Sequence, residues 1–172
     1  WGRKGLNCFD LELPTIPAIA HEVCLHPEAT HFLYTGRIDF SDPKAPLLSW
    51  PGTSIKANFT GTSLKIVLDD QHGKNYYSVI VDGDIYHPFV IEAKKGEHVY
   101  TVYENLRAGS HTLEIYKRTE GEEGATRFKG VLLSEKGKLL PPPKRPTRRI
   151  EIYGDSITSG MGNEAADNAE DA

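Results

Sequence analysis

Between residues 31 and 140 the sequence breaks into short runs rich in Val, Ile, Tyr, Phe and Thr, separated by turn signals that mostly carry glycine. "IKANFTG", "TSLKIVLDD", "NYYSVIVDGD", "IYHPFVIEA", "EHVYTVYENL", "HTLEIYKRTE" and "ATRFKGVLLSE" follow one another in order. Most alternate apolar and polar residues, the two-residue period of a strand with one buried face. In "TSLKIVLDD", Leu64, Ile66 and Leu68 fall on one face and Lys65 and Val67 on the other. Turn signals stand at Thr35-Gly36, Thr60-Gly61, Asp82-Gly83-Asp84, Lys95-Gly96, Ala108-Gly109-Ser110 and Glu122-Glu123-Gly124. The Asp82-Gly83 pair predicts a tight hairpin, because a two-residue turn needs positive φ. Many short strands at a spacing of about ten residues mean a sandwich or a barrel. The expectation is a mainly β fold, a jelly-roll-type β-sandwich over residues 31–140; the jelly-roll topology itself does not follow from the pattern.

Before that region, residues 1–30 are loosely patterned, and Pro14, Pro17 and Pro27 break any long helix. They are expected to form an irregular leader packed on the sandwich. Cys8 and Cys24 are too few for a disulfide scaffold, and their spacing leaves open whether they pair or stay as thiols. With His21 and His26 they match no zinc spacing. The chain starts with Trp1 and shows no apolar signal core, so targeting cannot be read from it. A net charge of −4 over 172 residues argues against a general binder of nucleic acid or anionic membrane. No apolar run approaches the length that spans a bilayer.

After the sandwich comes "LLPPPKRPTRR". Three consecutive prolines favour a stiff extended connector and exclude helix and central strand. Residues 141–148 are read as a linker and residues 149–172 as the start of a second domain. "RIEIYGD" is a short apolar run ending in glycine, which suits the first strand of a buried parallel sheet. Gly154 allows a sharp turn, and Ser156 then sits at the carboxyl end of that strand, where open α/β sheets place ligands. A helix starting there would aim backbone N–H groups, Ser156's own included, at a bound oxyanion. Thr158 departs from the Gly-x-Ser-x-Gly elbow. Taken alone, Asp155-Ser156 is also an ordinary turn and N-cap pair that need do no chemistry.

"IEIYGDSITSGMGNEA" resembles the first conserved block of the GDSL/SGNH hydrolases. A β-sandwich, a proline-rich connector and then this block are similar to carbohydrate esterase family 2, as are "SWPGTSIKANFTGTSLKIVLDD" and "LEIYKRTEGEEG". The resemblance covers roughly residues 31–172. It implies a serine esterase, secreted, periplasmic or at the cell surface, removing acetyl groups from plant polysaccharides such as xylan and glucomannan. It implies a sandwich followed by an SGNH-type three-layer α/β catalytic domain. By the same resemblance Ser156 is the nucleophile and a backbone oxyanion donor, and Asp155 braces the loop. The chemistry needs no metal and no organic cofactor. The family's histidine base and its further oxyanion donors come from later blocks that do not occur in this chain. A serine without a base is a poor nucleophile. The expectation is therefore that this chain is the N-terminal part of an esterase, inactive alone and completed by a C-terminal remainder of the same protein. "NEAADNAEDA" reads as a surface loop that proteases cut.

All seven histidines lie upstream of Ser156, and those in strand patterns, His87 and His111, read as surface or core residues rather than as a stand-in base. Trp50, Tyr76, Tyr77, Tyr86, Tyr100 and Tyr103 are read as core in preference to a sugar-stacking strip. Glu120 to Gly124 is read as a solvated hairpin loop rather than a cation site, and "KRPTRR" as a solvated linker. Two rivals stay open: a non-catalytic carbohydrate-binding sandwich, and an SGNH esterase acting on another short-chain ester.

Overall fold

The computed structural model describes residues 22–27 and 30–159. Twelve strands follow in order: β1 Val23–Leu25, β2 Leu33–Thr35, β3 Ile38–Asp39, β4 Leu47–Leu48, β5 Ser54–Thr60 and β6 Leu64–Asp70. They continue with β7 Tyr76–Val81, β8 Phe89–Glu92, β9 Gly96–Tyr103, β10 Ser110–Lys117, β11 Thr126–Leu133 and β12 Lys138–Leu140. A single helical turn, α1 Ser156–Ser159, comes last. The strands make two antiparallel sheets. One runs β3-β4-β11-β6-β9, with β1 also on β11; the other runs β12-β5-β10-β7-β8, with β2 also on β5. The mainly β fold in two antiparallel sheets is the one expected from the alternation.

Alternation sets the layers. On β5, Ile55, Ala57 and Phe59 are buried while Lys56, Asn58 and Thr60 are only partly so. β10 pairs with it in register, Leu113 opposite Ala57 and Ile115 opposite Ile55, so both strands send the same face inward. Phe32, Phe59, Tyr77 and Phe128 fill the space between the sheets together with Leu, Ile and Val. Phe32 and Phe128 meet edge to face at 5.4 Å. On β11 the alternation slips: Phe128, Val131 and Leu133 are all buried. The register shifts between Phe128 and Gly130, a bulge that restores the inward phase with one extra residue. Gly130 has φ of +120°, and a Cβ there would collide with the carbonyl oxygen of Leu25, so the bulge is also what lets β1 approach.

In three places the structure departs from the expectations of the sequence, and in a fourth it adds to them. The leader is not irregular throughout, since Val23–Leu25 joins the ladder of β11 and Glu22 pairs with Lys65 at 2.7 Å. The rest of the leader up to His21, and the acidic tail from Gly160 onward, lie outside the described residues. On β6, Val67 stands on the face opposite Leu64, Ile66 and Leu68, yet it is as fully buried as they are.

The hairpin after β7 is not tight. Asp82 and Gly83 do adopt positive φ, +55° and +74°, but the chain pairs again only at Phe89. Pro88 has no N–H to offer a ladder, and the Asp84 carboxylate takes the N–H groups of Tyr86 and His87, so the run at Ile85 stays a loop. Finally, Ile150–Tyr153 forms no ladder with any described strand, and Ile150, Ile152 and Tyr153 are exposed. A strand needs a sheet beside it, and none of the described strands offers one there.

Candidate functional site

The chain leaves the sandwich along the edge of β5. β12 pairs with Asn58–Thr60, Asn58 Nδ2 donates to the Pro141 carbonyl at 2.9 Å, and Arg145 donates to the Tyr34 carbonyl at 2.9 Å. Tyr34 sits opposite Ile55, so the connector runs back toward the start of β5. Residues 146–155 then lead to α1 without regular structure.

At α1 the local chemistry is simple. The Asp155 carboxylate accepts from the N–H groups of Ile157 at 3.1 Å and Thr158 at 3.3 Å, an N-cap. The Asp155 carbonyl accepts from Ser159 N–H at 3.1 Å. A Cβ on Gly154 would overlap the Thr158 side chain, so glycine is what lets the turn close. Ser156 is exposed at the first position of the turn. Three histidines that could be thought of as its base are committed elsewhere. His111 is engaged by Asp82 and Arg107, His87 by Asp84, and His98 by the Lys95 carbonyl. No group of His, Cys, Asp or Glu among the described residues could hold a metal ion.

Two polar constellations escape a reading of the sequence. The first is a clasp: His111 lies between the Asp82 carboxylate, 2.8 Å from Nδ1, and the Arg107 carbonyl, 2.7 Å from Nε2. Both partners are acceptors, so the geometry favours the imidazolium, in which both ring nitrogens donate. Burial pulls His111 down, but the hydrogen bonds to Asp82 and Arg107 outweigh it and hold it above the ordinary histidine value. The second constellation lies at the opposite end of the strands. Asp70 is buried and accepts from His72 N–H, Gly73 N–H, Asn75 Nδ2 and the Thr126 hydroxyl. Lys117 is buried within reach of its charge and donates to the carbonyls of Thr119 and Glu120. Burial pulls Lys117 down to about 8, with Asp70, Glu120 and Glu123 opposing. Asp82-Gly83 is visible in sequence only as a turn, and the partner of Asp82 stands 29 residues away.

The aromatic residues divide. Tyr77 belongs to the core, Tyr100 packs against that core and Tyr76 is half-buried. Trp50, Tyr86 and Tyr103 stand exposed, which corrects the expectation of burial for those three. Cys24 is disulfide-bonded; the sequence has one other cysteine, Cys8, which lies outside the described residues. No described helix is long and apolar enough to cross a membrane.

Residues 34–143 match the family model described as Carbohydrate esterase 2 N-terminal. The cellulase/esterase CelE of Acetivibrio thermocellus is 40% identical over 132 residues, 77% of this chain and 16% of that protein. An acetylxylan esterase / glucomannan deacetylase of Cellvibrio japonicus is 37% identical over 123 residues, 72% of this chain and 32% of that protein. Among solved structures, a family two carbohydrate esterase from Clostridium thermocellum in complex with cellohexaose is 39% identical, with a TM-score of 0.69 over 79% of this chain and 41% of that one. A family two carbohydrate esterase from Cellvibrio japonicus shares the fold with a TM-score of 0.76 at 24% identity, over 86% of this chain and 44% of that one. The chain thus spans less than half the length of these relatives, and Ser156 lies beyond the residues the family model matches. By its matched sandwich and these relatives, the chain belongs to carbohydrate esterase family 2.

Proposed function

We propose that this chain is the N-terminal part of a serine esterase that removes acetyl groups from plant cell-wall polysaccharides such as xylan and glucomannan, with Ser156 as its nucleophile. The observation that carries this reading is the exposed Ser156 on a turn capped by Asp155, in a chain of this family. In the reaction, Ser156 Oγ attacks the acetyl carbonyl carbon while a histidine of the SGNH-type catalytic domain takes its proton. The oxyanion accepts from Ser156 N–H and from donors of that domain. The bond between the acyl carbon and the sugar oxygen breaks, and the imidazolium protonates the leaving sugar hydroxyl. Water, deprotonated by the same histidine, then attacks the acyl-serine and releases acetate. Asp155 positions the turn by capping it. Residues 149–172 belong to that catalytic domain, residues 141–148 link it to the sandwich, and its remainder supplies the base. Action on a polymer too large to enter a cell implies export, and the disulfide at Cys24 fits an oxidising compartment.

The test is an intact-mass measurement, under denaturing conditions, after treatment of the purified protein with a serine-directed fluorophosphonate. The expected result is an adduct mapped to Ser156 on material that includes a second polypeptide, together with acetate release from acetylated xylan or glucomannan. An assembled protein left unlabelled at Ser156 would overturn the assignment. Activity on long acyl esters would instead favour an esterase of another substrate class. The exposed Trp50, Tyr86 and Tyr103 favour a second reading, a carbohydrate-binding sandwich, in which sugar binding survives Ser156→Ala.

A further inference from the structure

The β7–β8 loop, residues 82–88, is an unusual piece of surface. Its tip carries Ile85 at 62% exposure and Tyr86 at 84%. An exposed loop holding large apolar side chains is normally free to fold them down, yet this one is tied at nearly every residue. Asp82 accepts from His111 and, at 2.9 Å, from Thr112 N–H. Asp84 N–H donates to the Val81 carbonyl, and Ile85 N–H to the Gly83 carbonyl at 2.9 Å. The Asp84 carboxylate takes Tyr86 N–H and His87 N–H, both at 3.2 Å, and lies 3.1 Å from His87 Nδ1. Two successive residues with positive φ and the fixed φ of Pro88 complete the constraint. The backbone of the loop is therefore already ordered, and Tyr86 stands exposed on it, close in sequence to the Asp84 carboxylate and the His87 imidazole.

We propose that this loop is a carbohydrate-anchoring site, with Tyr86 as the stacking platform for a pyranose ring and Asp84 and His87 as partners for its hydroxyl groups. The class of ligand follows from the mixture. A ring face takes up the C–H face of a sugar, while a carboxylate and an imidazole beside it take vicinal hydroxyls. A purely apolar partner would take both of those polar groups out of water without offering them a bond. A loop whose backbone is already ordered loses less entropy on binding, which matters for a ligand held by few contacts. The inference rests on the reading that the protein works on polysaccharide.

Placement favours an external ligand. The connector leaves along β5 and is tied to Tyr34, opposite Ile55 near the start of that strand. The β7–β8 loop lies at the other end of the strands, since Val81 pairs with Leu113 near the start of β10, whose Ser110 pairs with Thr60 at the end of β5. It also belongs to the other edge, with β5, β10 and β7 standing between β2 and β8. The tie between the connector and the sandwich at Arg145 thus lies at the opposite corner. The same end of the sandwich as the loop holds a shallow, open depression, mostly apolar in its lining, with Thr60, Ser110 and Glu135 at its wall. The clasp through His111 ties the β9–β10 connection, which forms part of that depression, to the Tyr86 loop.

Affinity electrophoresis of the 172-residue chain in native gels containing xylan, glucomannan or hydroxyethyl cellulose tests the site. The chain is expected to be retarded by at least one polymer relative to a polymer-free gel. Tyr86→Ala is expected to weaken that retardation about tenfold in apparent affinity, while Tyr86→Phe and Trp50→Ala keep it. Thermal melts of the variants check that each stays folded. No retardation by any polymer, equal retardation of Tyr86→Ala, or a loss in Trp50→Ala instead would overturn the proposal. Ser156→Ala leaves retardation of the chain unchanged, whereas in the protein assembled with its C-terminal remainder it removes fluorophosphonate labelling, so failure here and failure of the esterase reading are told apart.

Discussion

The sandwich and the segment after it use the same residues in opposite ways. In β6, Leu64, Ile66 and Leu68 are wholly buried. In "RIEIYGDSI", Ile150, Ile152, Tyr153 and Ile157 are 73% to 87% exposed. The sandwich also buries Asp70 and Lys117, charged groups that ordinarily stay in water. The difference is not composition but company. β6 lies between β9 and β11, which supply ladder partners and a facing sheet, whereas residues 150–153 have neither among the described residues. An apolar run is an instruction that a neighbour must complete.

If company is what separates the two regions, the largest loss should come from the buried polar cluster. Asp70→Ala removes the acceptor of four hydrogen bonds and takes from Lys117 the carboxylate that acts on it most strongly. A fall of about 3–5 kcal/mol in unfolding free energy is expected by urea denaturation. A loss below about 1 kcal/mol would mean that the cluster is no more supported than the tail.

His111→Gln comes next, with a loss of about 1–2 kcal/mol at a mildly acidic pH. The folded value of His111 is raised, so its contribution is complete below the ordinary histidine value and fades as pH rises through the folded one. The gap between wild type and variant is therefore expected to narrow as the buffer is made alkaline. A gap that stays constant with pH would show that the ring is neutral at both ends of the range. The smallest effect belongs to the tail. Ile152→Ser is expected to change the stability of the sandwich by less than about 0.5 kcal/mol, and a larger shift would show that the exposed run leans on the sandwich after all.

Much of the fold is legible in the sequence because strand period and turn chemistry are local. "IKANFT" and "HTLEIYK" state which face goes inward, and their glycine-bearing boundaries state where each ends. What is not legible depends on residues far apart. That Val67 is buried on the outer side, that Phe128 and Val131 both face inward, and that Asp82 meets His111 all follow from pairing rather than pattern. Lys117 continues the inward phase of β10, but a lysine at that place reads as a strand end, because nothing in the strand pattern announces the carbonyls that receive it. The candidate site divides in the same way. Gly154 and Asp155 can be read as a turn and its cap, whereas a base for Ser156 cannot be read from upstream histidines whose bonds go elsewhere.

The proline run after Leu140 has one more consequence, for how copies of this protein behave toward one another. β12 is three residues long and stands at the outer margin of its sheet. A margin of that kind invites a strand from a second molecule, and repeated invitation is how sheets become fibres. Pro141, Pro142 and Pro143 carry no N–H and so cannot prolong the margin into a template. The connector therefore cannot lengthen that edge for a second molecule to pair with.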